Sequence, residues 1–178
     1  MNLKKMIIIN FALVAVLIAG ELKDKTDAHL RKFFGEECVI DSKKYIIPQE
    51  LKSKIENLTQ QRFYTDFVFL YFVKNNDKIN SYAILDNVIG KVQPITFLVI
   101  YDSNFVISDF QIIKYREEHG GEVQNESWRN QFIGKRANSE FTINENIDGI
   151  TGATISVKSL IKGINKTSLL IRSIVGNE

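Results

Sequence analysis

One cysteine, two prolines and two histidines stand among 178 residues. The lone Cys38 allows no intrachain disulfide framework and no cysteine-based zinc cage. His29 and His119 lie far apart in the chain, so neither a histidine-rich metal site nor any other metal site is expected. The scarcity of proline excludes a proline-rich linker or scaffold. Charge of one sign is also missing: 23 Lys and Arg face 21 Asp and Glu, and Lys4 and Lys5 alone account for the net +2. A neutral body carries no electrostatic footprint for nucleic acid, which removes that class of partner. Hydrophobic residues at 44% and charged residues at 25% sit near the globular average, unlike a disordered tail, a fibre or a polytopic membrane protein.

Long apolar runs are scarce as well; there is one. Lys4 and Lys5 precede an uncharged stretch from Met6 to Gly20, and Glu21, Lys23, Asp24 and Lys25 end it abruptly. A short basic region followed by about 15 apolar residues has the form of a secretory signal. A spanning helix wants roughly 20. Residues 1–20 are therefore expected to be a signal peptide or an amino-terminal anchor, with membrane anchoring through residues 6–20 left open. Leu17 or Ile18 stands where the cleavage site prefers a small residue, so both outcomes stand. In either case the lysines stay on the cytoplasmic side. The body is expected to be exported, to the periplasm or the outer face of the cytoplasmic membrane.

Residues 21–89 read as helices and the first strands of the body, and residues 90–178 as the remainder of the same single domain. Thr26 to Phe34 is expected to be a short helix, capped by Thr26 or Asp27 and stopped by Gly35. Cys38 to Ile47 suggests a strand, and Gln49 to Leu58 a helix by the spacing of Leu51, Ile55 and Leu58. Cys38 itself is expected to be a small buried residue. Phe63 to Val73, rich in aromatic and β-branched residues, reads as a strand whose aromatics belong to the core. Ile79–Leu85, Ile95–Tyr101 and Phe105–Tyr115 follow as strands joined by short turns, the pattern of an antiparallel meander. Asn125–Phe132 reads as a short helix and Ser139–Ile143 as a last short strand. From Ile155 to Ile174, the residues Val157, Leu160, Ile161, Ile164 and Ile171 form one stripe at helical spacing. The expected fold class is α+β: an antiparallel sheet packed with helices, the long carboxy-terminal helix last.

The segment Asp148-Gly-Ile-Thr-Gly-Ala-Thr-Ile-Ser156 immediately precedes that helix. Gly149 and Gly152 permit conformations and close approaches that a β-carbon forbids. Thr154 and Ser156 sit where the helix begins, so their hydroxyls are expected to meet free N–H groups there. Those donors and the positive end of the helix dipole suit an anion such as a phosphate. An ordinary helix cap after a tight turn is the competing reading. The segment is neither a Walker loop nor a dinucleotide fingerprint, since the Lys of the first and the G-x-G-x-x-G of the second are absent.

Asp148-Gly-Ile-Thr-Gly-Ala-Thr154 resembles the flavinylation motif of the FMN-binding domain family, found in subunits of the Rnf and Nqr electron-transport complexes. Gly90-Lys-Val-Gln-Pro94-Ile95-Thr-Phe-Leu-Val-Ile-Tyr-Asp102 resembles the family's Gly/Pro-containing entry to a strand pair, Trp128…Phe132-Ile-Gly134-Lys its Trp…Phe-x-Gly-Lys stretch. Tyr115-Arg-Glu-Glu-His-Gly120 stands in place of its His-x-Glu-Thr-Pro-Gly segment, with Glu117 and Gly120 matching. Tyr115, Glu118 and His119 depart from the family's His, Thr and Pro. The resemblance covers roughly Gly90 to Ile164. It implies that Thr154 carries FMN covalently through a phosphoester installed by a flavin transferase, with Thr151, Gly152 and Ala153 as the preceding motif residues and Asp148 as the motif acid. Glu117 and Gly120 would belong to a loop that lines the flavin.

Two readings of Asp148 stand: recognition by the transferase, or an Asx-type brace of the turn. Glu117 and His119 either contact the flavin ring or decorate a loop; Trp128 either packs or stacks on the ring. The resemblance implies an exported electron carrier with membrane redox donors or acceptors as partners, and no catalytic acid or base is assigned. A flavin-dependent reductase of a small extracytoplasmic substrate, and a non-redox assembly module that retains the fold, are the alternatives.

Overall fold

A computed structural model describes residues 20–75, 78–136, 141 and 143–176. The apolar stretch 6–20 thus lies outside the described residues save Gly20, and the expected strand Ser139–Ile143 lies outside them save Phe141 and Ile143. The chain divides into two compact units, Met1–Cys38 and Val39–Glu178.

In the first unit a helix, α1, covers residues 20–34. It starts before the expected caps, so Thr26 and Asp27 serve inside it instead. The Thr26 hydroxyl donates to the Leu22 carbonyl at 2.7 Å, and Asp27 pairs with Lys23 one turn back. Gly35, at φ +94°, ends the helix as expected, its N–H on the Arg31 carbonyl. Cys38 is half-buried rather than buried. Among the described residues no helix is long and apolar enough to cross a membrane.

The second unit is α+β. Strands β1 (Val39–Ile46), β2 (Phe67–Asn75), β3 (Lys78–Ile89), β4 (Pro94–Asp102) and β5 (Ile107–Lys114) form one antiparallel sheet in chain order. Helix α2 (Gln49–Thr59) separates β1 from β2. The expected helix Asn125–Phe132 is instead a four-residue α3 (Glu126–Arg129) between two short 3₁₀ turns. Helix α4 (Thr154–Val175) is the last of the described elements.

Of the strand boundaries that differ from the sequence reading, three have a visible reason. β2 begins at Phe67, because Phe63 is a core residue held from a loop, its N–H bonded to the Glu56 carboxylate at 2.7 Å. β3 continues past Leu85 because Asp86 and Asn87 find partners: Asp86 pairs with Lys166 at 2.9 Å, and Asn87 accepts the Thr96 hydroxyl at 2.7 Å. β5 starts at Ile107, since one Asp102 carboxylate oxygen accepts the N–H groups of Asn104 and Val106 and lengthens the turn.

The predicted stripe of α4 is buried: Val157, Leu160, Ile161, Ile164 and Ile171 all join the core with Ile84, Val88, Phe97 and Val99 of the sheet. Each such side chain contributes about 1.5–3 kcal/mol by leaving water. Gly163 brings α4 close, because a β-carbon there would stand 2.6 Å from Val88 Cγ1 and 2.9 Å from Phe97 Cζ. This packing fixes the direction of α4, and so the place of its first residue.

Candidate functional site

Three chain segments meet at one end of the sheet. The first is the turn from Gly90 to Gln93 that joins β3 to β4, closed by the Gly90 N–H on the Gln93 carbonyl at 3.0 Å. The second is the loop from Tyr115 to Gly120 that follows β5. The third is the motif turn that leads into α4.

Glu117 ties the first two together. One carboxylate oxygen accepts the N–H of Val92 at 2.7 Å and that of Gln93 at 3.0 Å. These backbone donors hold its carboxyl below the usual glutamate range. A β-carbon on Gly90 would collide with that carboxylate and stand 3.1 Å from the Ser156 hydroxyl, so the glycine lets turn, loop and helix converge. Arg116 backs the same wall by donating to the Pro94 carbonyl and the Thr96 hydroxyl, both at 3.0 Å.

The loop is also pinned to the start of α4. The Tyr115 hydroxyl donates to the His119 carbonyl and shares a hydrogen bond with Ser156, while partial burial raises its pKa. Gly120, at φ +78°, lies against Ala153.

The motif turn is braced from α3 and its flanks. Trp128 Nε1 donates to the Asp148 carbonyl at 2.8 Å, and Asp148 N–H donates to Gln131 Oε1 at 2.7 Å. Trp128 is nearly buried, edge-on to Phe110 and Phe132, so its ring packs. Gly149 N–H reaches Asn144 Oδ1 at 3.3 Å, and Gly152 takes φ +81° with open space around it. The residue before the first turn of α4 is Ala153, with no side-chain cap. The expected capping by Thr154 and Ser156 is therefore not formed. Thr154 is the first residue inside the helix and exposed; Ser156 is buried and bonded to Tyr115 instead. A helix start without a side-chain cap presents N–H donors and a positive dipole end to whatever approaches.

Residues 91–93, 116–119 and 152–156 enclose a cleft of about 580 Å³, within the size range of cofactor pockets. Thr154, Gly152, Ala153 and Glu117 line it, whereas Gly120 supports Ala153 from behind. Thr151 faces a neighbouring hollow of about 240 Å³ that Thr154 also borders. Asp148 lines a third, of about 220 Å³, with Glu122 and Trp128. The structure thus brings most of the anticipated residues to one cleft and sets Asp148 and Thr151 beside it. Lys91, Val92, Arg116 and Ile155 also line the cleft and were missed by the sequence reading. The signal for all four was their position inside the quoted segments 90–102, 115–120 and 148–156.

An exposed threonine at an uncapped helix start, lining a cleft of mixed polar and apolar residues, fits a flavin that bears a phosphate. Residues 90–168 match the FMN-binding domain. This segment belongs to the FMN-binding domain family. The FMN-binding domain so delimited opens at Gly90, the glycine on which the cleft converges, and includes β4, β5, α3 and most of α4. The sheet it uses is completed by β1–β3, which lie before the matched residues. No curated protein matches the chain.

Proposed function

We propose that the protein is an exported electron carrier whose FMN is attached through a phosphoester to Thr154. The observation that carries this reading is that Thr154, first in α4, is exposed and lines the cleft. Attachment needs an activated flavin phosphate and a flavin transferase. The Thr154 Oγ–P bond forms as the P–O bond to the donor's leaving phosphate breaks, and the hydroxyl proton passes to a base of the transferase. The resulting phosphodiester keeps one negative charge, which the uncapped N–H groups of α4 and the helix dipole favour.

The bound flavin supplies one- and two-electron chemistry; the chain supplies position, electrostatics and shelter. Glu117 and Arg116 hold the cleft wall, Tyr115 and Gly120 hold the helix start, and Trp128 and Gln131 hold the turn before it. Asp148, which lines a separate hollow from the cleft, belongs to the contact with the transferase. Residues 1–20 direct export, to the periplasm or the outer face of the cytoplasmic membrane, where covalent attachment prevents loss of the cofactor. Membrane redox proteins serve as donor or acceptor.

Co-expression with a flavin transferase, followed by denaturing electrophoresis under ultraviolet light, tests the reading. A fluorescent band is expected for the wild type and for Thr151→Ala and Ser156→Ala in at least part, and none for Thr154→Ala. A wild-type chain without fluorescence, or a fluorescent Thr154→Ala chain, overturns it. The labelled protein is expected to exchange electrons with redox dyes without turning over a small substrate of its own.

A further inference from the structure

Ten large apolar side chains are exposed among the described residues, and two of them, Val92 at 69% and Ile155 at 51%, line the cleft. They come from different segments. Val92 stands in the turn between β3 and β4, and Ile155 is the second residue of α4. Both are held in place by the backbone rather than by their own packing. The Val92 N–H is fixed on the Glu117 carboxylate at 2.7 Å; Ile155 is fixed by the helix next to Thr154. The turn and the helix start approach closely, since the space for a β-carbon on Gly90 ends 3.1 Å from the Ser156 hydroxyl.

We infer that Val92 and Ile155 are paired apolar jaws for the planar ring of the flavin, with Glu117 as the positioning residue of the Val92 jaw. This inference rests on the reading of the cleft as the flavin site. An isoalloxazine ring has two broad apolar faces, and branched aliphatic side chains against them would take area out of water on both the ring and the protein. Of the cleft's charged side chains, Lys91, Glu117 and Glu118 offer no apolar area to those faces, and the Arg116 guanidinium is engaged by the Pro94 carbonyl and the Thr96 hydroxyl. Lys91, Glu117, Glu118 and His119 suit the ring's edge, where carbonyl and nitrogen atoms seek hydrogen bonds. A jaw fixed before the ligand arrives also spares the cost of ordering it on binding.

The test is collisional quenching of flavin fluorescence by iodide in the full-length protein, co-expressed with a flavin transferase. Intact mass establishes how much flavin each sample carries. In the wild type the quenching constant is expected at least about threefold below that of free FMN, since cofactor sites enclose most of their ligand's surface. Val92→Ser and Ile155→Ser, which leave the charge of the cleft unchanged, are each expected to raise the constant about twofold, and together to bring it near that of free FMN. Ile133→Ser, at an exposed apolar residue outside the cleft, is expected to leave it as in the wild type. Far-ultraviolet circular dichroism and thermal melting check that each variant is folded; Val92→Ala and Ile155→Ala replace any variant that is not. A wild-type flavin as accessible as free FMN, or folded jaw variants that quench as the wild type does, overturns the inference. If intact mass finds no attached flavin, the reading of Thr154 fails by itself. The same quenching series with reversibly bound FMN then judges the jaws.

Discussion

Gly120 and Ala153 touch where neither side chain can grow: a β-carbon on Gly120 would stand 2.6 Å from the Ala153 Cβ and 3.0 Å from the Tyr115 hydroxyl. Through this contact the loop after β5 sets the height of the turn that delivers Thr154. Gly120 also holds φ +78°, a region that costs other residues about 1–2 kcal/mol. With overpacking added, Gly120→Ala is expected to cost about 2–4 kcal/mol. Urea denaturation measures this, and flavin attachment at Thr154 should fall with it. A variant as stable as the wild type would mean that loop and helix start are not packed together.

The Glu117 carboxylate links Val92 and Gln93 across some 25 residues of chain. Those backbone donors lower its pKa in the folded protein, so its stabilising contribution is fully present above the ordinary glutamate value of about 4.3. It is lost as pH falls through the lower, folded value. Glu117→Gln is therefore expected to be less stable than the wild type at neutral pH, and the gap should narrow below about pH 4. Denaturant midpoints for the two proteins between pH 3 and pH 7 check this. A gap that is constant or widens on acidification contradicts the clamp.

Lys166 is fully buried, with its ammonium 2.9 Å from Asp86, 2.9 Å from the Arg62 carbonyl and over the Phe63 ring. Removing one member of such a pair leaves a buried charge without its counterpart, at about 3–5 kcal/mol. Asp86→Ala is expected to lose about that much, whereas Asp86→Leu combined with Lys166→Met should recover most of it. A double-mutant cycle in urea measures the coupling. Additive losses would show that the two charges do not sustain each other.

The strands could be read from the sequence wherever one apolar face alternated or a run such as Phe97 to Tyr101 was apolar throughout. They could not be read where polar residues found distant partners. Asp86 and Asn87 look like the end of a strand until Lys166 and Thr96 are opposite them. The motif turn was legible because two glycines and three hydroxyls precede a regular helical stripe. Its cap was not, since Ser156 turns to Tyr115, a partner 41 positions earlier in the numbering of the chain. Glu117 was singled out by resemblance, but its grip on Val92 and Gln93 depends on how β3, β4 and β5 line up. Val92 and Ile155 carried no signal beyond their place in the quoted segments, because an exposed aliphatic residue is ordinary until two of them share a cleft.

The central claim is the bond between Thr154 and a flavin phosphate. Intact-mass spectrometry of the full-length chain, produced with a flavin transferase, measures it directly. The wild type is expected to gain the mass of one FMN less one water, with peptide fragmentation placing the gain on Thr154, and Thr154→Val is expected to keep the bare peptide mass. A bare wild-type chain, or a gain that survives in Thr154→Val, would contradict the account.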